Sequence, residues 1–74
     1  MHHDKLQEYP SSLQVLRLAE VCHRTGLSKS QVLRMIDEKG FPRPIKLSVR
    51  ANGWIESEVS SWIRERIARS RAEG

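Results

Sequence analysis

Nineteen residues, Leu18 to Ile36, leave this chain few ways to fold. Leu18, Val21 and Cys22 fall at i, i+3 and i+4, which gives one apolar stripe and predicts a helix from about Leu18 to Arg24. Thr25-Gly26-Leu27 follows, with Gly26 suited to the left-handed conformation that ends a helix. Ser28-Lys29-Ser30-Gln31 has the S-x-x-Q pattern of a capping box, in which the Ser28 hydroxyl and the Gln31 side chain satisfy each other's backbone amides. Val32, Met35 and Ile36 then form a second apolar stripe. Cys22, Gly26 and Val32 stand at i, i+4 and i+10: a small residue where two helices touch, a glycine in the turn, and a branched residue beneath the second helix. That is the helix-turn-helix pattern, with Leu27 placed to plug the gap under the turn.

The remainder of the chain supplies support. Gly40 is expected to close the second helix, and Pro42 and Pro44 forbid its continuation, so Phe41-Pro42-Arg43-Pro44 reads as a stiff connector. Ile45-Lys46-Leu47 and Gly53-Trp54-Ile55 are short β-type runs, and the Asn52-Gly53 pair between them predicts the turn of a hairpin. Leu13 to Arg17 alternates loosely and suits a short extended lead-in. Ile55, Val59, Trp62, Ile63 and Ile67 repeat at helical spacing and predict a last helix from about Glu56 to Arg69. Its acids Glu56 and Glu58 sit at the positive end of the helix dipole, and Arg66, Arg69 and Arg71 near the negative end. The expected organisation is a polar N-terminal tail at 1–12, one domain at 13–69, and a frayed end at 70–74. The fold class is mainly α with a small β-hairpin, a winged helix-turn-helix.

Size and charge narrow the function. A chain of 74 residues allows one small core and leaves little room for a deep substrate pocket. The net charge is +4, and its distribution is uneven. Residues 1–16 carry −1 and residues 51–74 carry zero, while residues 17–50 hold eight bases against three acids. A basic middle favours a polyanionic partner, although a solvated basic surface has the same composition. Cys22 has no partner for an internal disulfide and suits a small buried hydrophobe. Together with His2, His3 and His23 it lacks zinc-ligand spacing, and no cofactor is expected. No apolar run reaches the roughly 18 residues of a membrane span, and no signal peptide is visible, so a cytoplasmic protein with no membrane partner is expected.

The second helix presents Lys29, Ser30, Gln31 and Arg34, behind a capped N-terminus that favours phosphate near Ser28. Arginine pairs bidentately with guanine and glutamine with adenine. Ser30, Gln31 and Arg34 are therefore assigned near base edges and Lys29 near phosphate; the competing role for Arg34 is an ion pair with Asp37 or Glu38. Lys46, Arg50 and Asn52 make the hairpin a candidate wing on the backbone or in the minor groove, against the plainer reading of a solubilising turn. Arg43, between two prolines, is a further candidate phosphate contact, and Arg17 a further candidate DNA-binding residue. Trp54 is read as core rather than as a base-stacking residue, because Trp62 and Ile63 can meet it.

Three segments carry a family resemblance: Thr25-Gly26-Leu27-Ser28-Lys29-Ser30, then Gly40-Phe41-Pro42-Arg43-Pro44-Ile45-Lys46-Leu47, then Trp54-Ile55-Glu56-Ser57-Glu58-Val59-Ser60-Ser61-Trp62-Ile63. In this order they resemble the AlpA family of prophage regulators, over about residues 15 to 68. The resemblance implies a winged helix of the MerR/excisionase type, and a role in controlling phage or island genes or in directing excision with an integrase. Leu33 departs from the family pattern, which usually carries tyrosine there, and so lacks a hydroxyl for the DNA backbone. The leading expectation is a sequence-specific binder of double-stranded DNA that self-associates on its site. The alternative is an adaptor that uses the same fold to dock an integrase or another regulator. An enzyme is the weakest reading, because Glu20 and His23, one turn apart, have no nucleophile, metal set or glycine-rich loop beside them.

Overall fold

The computed structural model describes residues 13–73; the tail expected at 1–12, and Gly74, lie outside them. The elements are β1 (Val15–Leu16), α1 (Leu18–Thr25), α2 (Lys29–Asp37), β2 (Ile45–Ser48), β3 (Ala51–Ile55) and α3 (Glu56–Glu73). The mainly α winged helix-turn-helix follows the sequence closely, with three differences of detail.

The first is the sheet. The lead-in strand makes it three-stranded, in the order β1-β3-β2 and antiparallel throughout. Val15 pairs with Ile55 and Leu16 with Trp54, and the Glu56 amide donates to the Gln14 carbonyl at 2.8 Å. β1 therefore ties the start of the domain to the start of α3. Ile45 pairs with Gly53 and Lys46 with Asn52, then an irregularity before Ser48 leaves an extra residue on β2. The turn falls at Val49-Arg50, and Asn52-Gly53 lies inside β3. Gly53 is needed there for space: a Cβ at this position would collide with Val15 Cγ1 and come within 2.9 Å of Leu47 Cδ1.

The second difference is how α2 ends. Gly40 does not take the left-handed conformation; Lys39 does, at φ 62°. The Lys39 amide donates to the Ile36 carbonyl at 3.0 Å and the Gly40 amide to the Met35 carbonyl at 2.7 Å, the paired bonds of a Schellman motif. The third is the length of α3, which continues to Glu73 past the fraying expected from residue 70.

The core is one cluster of Leu16, Val21, Val32, Phe41, Trp54 and Val59, with Leu18, Cys22, Leu27, Met35, Ile36, Trp62 and Ile63 packed around it. Each helix contributes one fully buried valine: Val21, Val32 and Val59. Trp54 is core, as the sequence predicts. Its indole N–H donates to the Pro42 carbonyl at 3.0 Å, and that of Trp62 donates to the Gly40 carbonyl at 2.7 Å. Phe41 lies between these carbonyls and meets the Trp62 ring edge-on, with centroids 4.8 Å apart. The connector between α2 and β2 is thus clamped by two indoles, which fixes the wing to the helix-turn-helix.

Candidate nucleic-acid interface

The turn between α1 and α2 is built as its sequence requires. Gly26 takes φ 78°, and its amide donates to the Cys22 carbonyl at 2.8 Å. Thr25 contributes what the pattern does not reveal: its hydroxyl donates to the Val21 carbonyl at 2.8 Å and accepts the Leu27 amide at 3.2 Å. Leu27 is half-buried against the core, as a plug must be.

Ser28 caps α2. Its hydroxyl accepts from the Gln31 amide at 3.1 Å, and the Gln31 side-chain oxygen accepts from the Ser28 amide at 2.8 Å. The capping box leaves the amides of Lys29 and Ser30 without intrahelical acceptors, pointing out along the axis. It also commits Gln31, whose side-chain oxygen must leave the Ser28 amide before it can pair bidentately with adenine.

With Val32 buried and Met35 and Ile36 half-buried, the outward stripe of α2 is Ser30, Leu33, Arg34 and Asp37, at i, i+3, i+4 and i+7. Lys29 is exposed beside it. Among the described residues one ion pair forms, Arg24 Nη1 to Glu56 Oε2 at 2.6 Å, so Arg34 is not held by Asp37 or Glu38.

Glu56 also accepts from the Ser60 hydroxyl at 2.7 Å. That bond first, and the Arg24 guanidinium second, hold its carboxyl below the usual range. Arg24, basic and outward in sequence, is thus engaged in an ion pair at the domain surface. Arg17 stands just ahead of α1, its amide accepted by Glu20 Oε1 at 2.8 Å and its side chain exposed. That bond gives Glu20 a structural task.

On the wing, Lys46 and Asn52 are cross-strand partners and both exposed, and Arg50 is exposed in the turn. Beside Arg50, Val49 is 85% exposed. Arg43 is exposed between its two prolines, on the clamped connector. The predicted residues thus occupy α2 (with its cap), the wing, the connector and the start of α1. Two apolar side chains lie among these residues with no contact assigned from the sequence: Val49 at the wing tip, and Leu33 on α2, noted there only for the hydroxyl it lacks. Their signal was an apolar residue at a position where the pattern calls for a polar one.

The fold and this arrangement define a winged helix-turn-helix protein with a capped, outward-facing second helix. The family model described as Prophage CP4-57 regulatory protein (AlpA) matches residues 14–67, and the chain belongs to that family. It is 31% identical over 62 residues to the DNA-binding transcriptional activator AlpA of Escherichia coli K12, an alignment covering 76% of this chain and 89% of the relative. It is 40% identical over 53 residues to the uncharacterized protein ORF88 of Enterobacteria phage P4, covering 72% of this chain and 60% of that protein. No solved structure gives a significant match. Among the described residues, no helix is long and apolar enough to cross a membrane.

Proposed function

We propose that the chain binds double-stranded DNA and regulates prophage or mobile-element genes in the cytoplasm, by controlling transcription or by directing excision with an integrase. α2 enters the major groove with Ser30 and Arg34 toward base edges and Lys29 toward phosphate; Gln31 joins them when its cap opens. The Lys29 and Ser30 amides, with Ser28, receive a phosphate at the helix N-terminus. Arg17, Arg43, Lys46, Arg50 and Asn52 hold the backbone or the minor groove on either side. The observation that carries this reading is Arg34, a guanidinium on the outward stripe of a capped helix with no acidic partner among the described residues. The relative named as a DNA-binding transcriptional activator supports it. A single module of this kind buries only about 600–1,000 Å² on DNA, so the protein self-associates on its site.

A second reading, the adaptor, has one observation in its favour. Leu27, Met35, Trp62, Ile63 and the 44%-exposed Ile67 line a groove between the turn and α3, rimmed by Arg24 and Arg66.

Duplexes selected from a random pool, then titrated at several salt concentrations, distinguish the two. Neutralising about five phosphates gives a slope of log K against log salt of roughly −4 to −5. Arg34→Ala weakens the selected site by about 1–3 kcal/mol. Selection that returns no sequence, or affinity indifferent to both salt and Arg34→Ala, would favour the adaptor.

A further inference from the structure

We infer that Leu33 is a sequence-reading residue, which packs on the C5-methyl group of a thymine in the major groove. This rests on the DNA-binding reading above and names what one position of α2 selects. Leu33 is 47% exposed on a helix whose inner face is already filled by Val32, Met35 and Ile36. It lies on the stripe shared with Ser30 and Arg34, with Lys29 one turn before it and Asp37 one turn after.

The chemistry of these neighbours separates the possible contacts. A leucine offers a phosphate no hydrogen bond, and the Asp37 carboxylate one turn on repels phosphate, so this part of the helix gains nothing from the backbone. Base edges in the major groove offer one apolar group, the thymine methyl, and apolar side chains read it by contact. Ser30 and Arg34 flank Leu33 with the hydrogen-bonding groups that fix a helix in register over the bases. Leu33 then prefers thymine at one position by what it buries rather than by a hydrogen bond.

The test replaces each thymine of the selected duplex, one at a time, with deoxyuridine, which keeps every hydrogen-bonding group and removes only the methyl. Affinity is measured for the full chain and for Leu33→Ala, which keeps the helix because alanine is the best helix former. For the unaltered protein, deoxyuridine at one position weakens binding about fourfold, the factor that corresponds to burying one methylene-sized group. In Leu33→Ala that penalty vanishes while penalties at other positions stay, and the melting temperature is unchanged.

Specific binding that tolerates deoxyuridine everywhere would overturn the assignment and leave DNA binding standing. So would a penalty that persists in Leu33→Ala. A chain that selects no duplex would overturn both readings at once.

Discussion

Lys39→Gly should stabilise the protein, although it removes a base and touches no core residue. Lys39 sits at φ 62°, where a side chain with a Cβ crowds the following carbonyl at a cost of about 1–2 kcal/mol. Glycine escapes that cost but loses about 0.5–1 kcal/mol through its freer unfolded chain. The net gain is about 0.5–1 kcal/mol, or about 2–8 °C in melting temperature for a domain of this size. Gly40→Ala is the control. Its added Cβ would meet only the Met35 carbonyl oxygen, at 3.8 Å, and Gly40 is not left-handed, so stability stays within about 0.5 kcal/mol. Gly26→Ala, at φ 78°, should instead cost about 1–2 kcal/mol although nothing stands in its Cβ position. Thermal and urea unfolding monitored by circular dichroism read all three. If Gly40→Ala costs as much as Gly26→Ala while Lys39→Gly gains nothing, then Gly40 rather than Lys39 is the left-handed residue, and the reasoning fails.

Two further perturbations follow from the hydrogen bonds. The Glu56 carboxyl is held below its usual range by Ser60 and Arg24, so its contribution to stability is complete above the ordinary carboxylate pKa and is lost as pH falls through the lowered value. Glu56→Gln should therefore flatten the fall in urea stability between neutral and acidic pH, and parallel profiles for the two proteins would contradict the linkage. Trp62→Phe and Trp54→Phe each remove an indole clamp from the connector. The first frees a carbonyl that water can reach and should cost about 0.5–1.5 kcal/mol; the second leaves the Pro42 carbonyl with less access to water and should cost about 1–3 kcal/mol. Equal losses in chemical denaturation would show that burial does not separate the two bonds.

The parts of the fold legible in the sequence are those governed by local chemistry. The Ser28 box, the Gly26 cap and the two apolar stripes each depend on residues within one or two turns, and each appears where the spacing puts it. What escaped the sequence depends on distant partners. Asn52-Gly53 is a strong turn signal, but β1 lies against β3, and Val15 and Leu47 close over Gly53 so that a Cβ there would force them to move; the turn falls at Val49-Arg50. Gly40 reads as a helix stop, but its carbonyl is taken by Trp62, 22 residues on, and the left-handed step falls on Lys39. At the interface, residue types were readable and their commitments were not. Arg24 and Gln31 look as available as Arg34, yet one is bound to Glu56 and the other to its own cap.

Those commitments bear on how much charge can reach a polyanion. Residues 17–50 contain eight bases, but Arg24 is paired with Glu56 at the surface, and Asp37 shares the outward stripe with Arg34. The remaining bases fall into separate groups at the start of α1, on α2, at the α2 end, on the connector and on the wing. They can act together only if wing and helix hold a fixed relation. Trp54 and Trp62 provide it by donating to the Pro42 and Gly40 carbonyls, so Trp54, which in isolation looks suited to stacking on bases, instead helps set the geometry between wing and helix-turn-helix. A clamp variant should then lose affinity through both surfaces at once, whereas loss of a single contact base lowers the salt slope by about one charge.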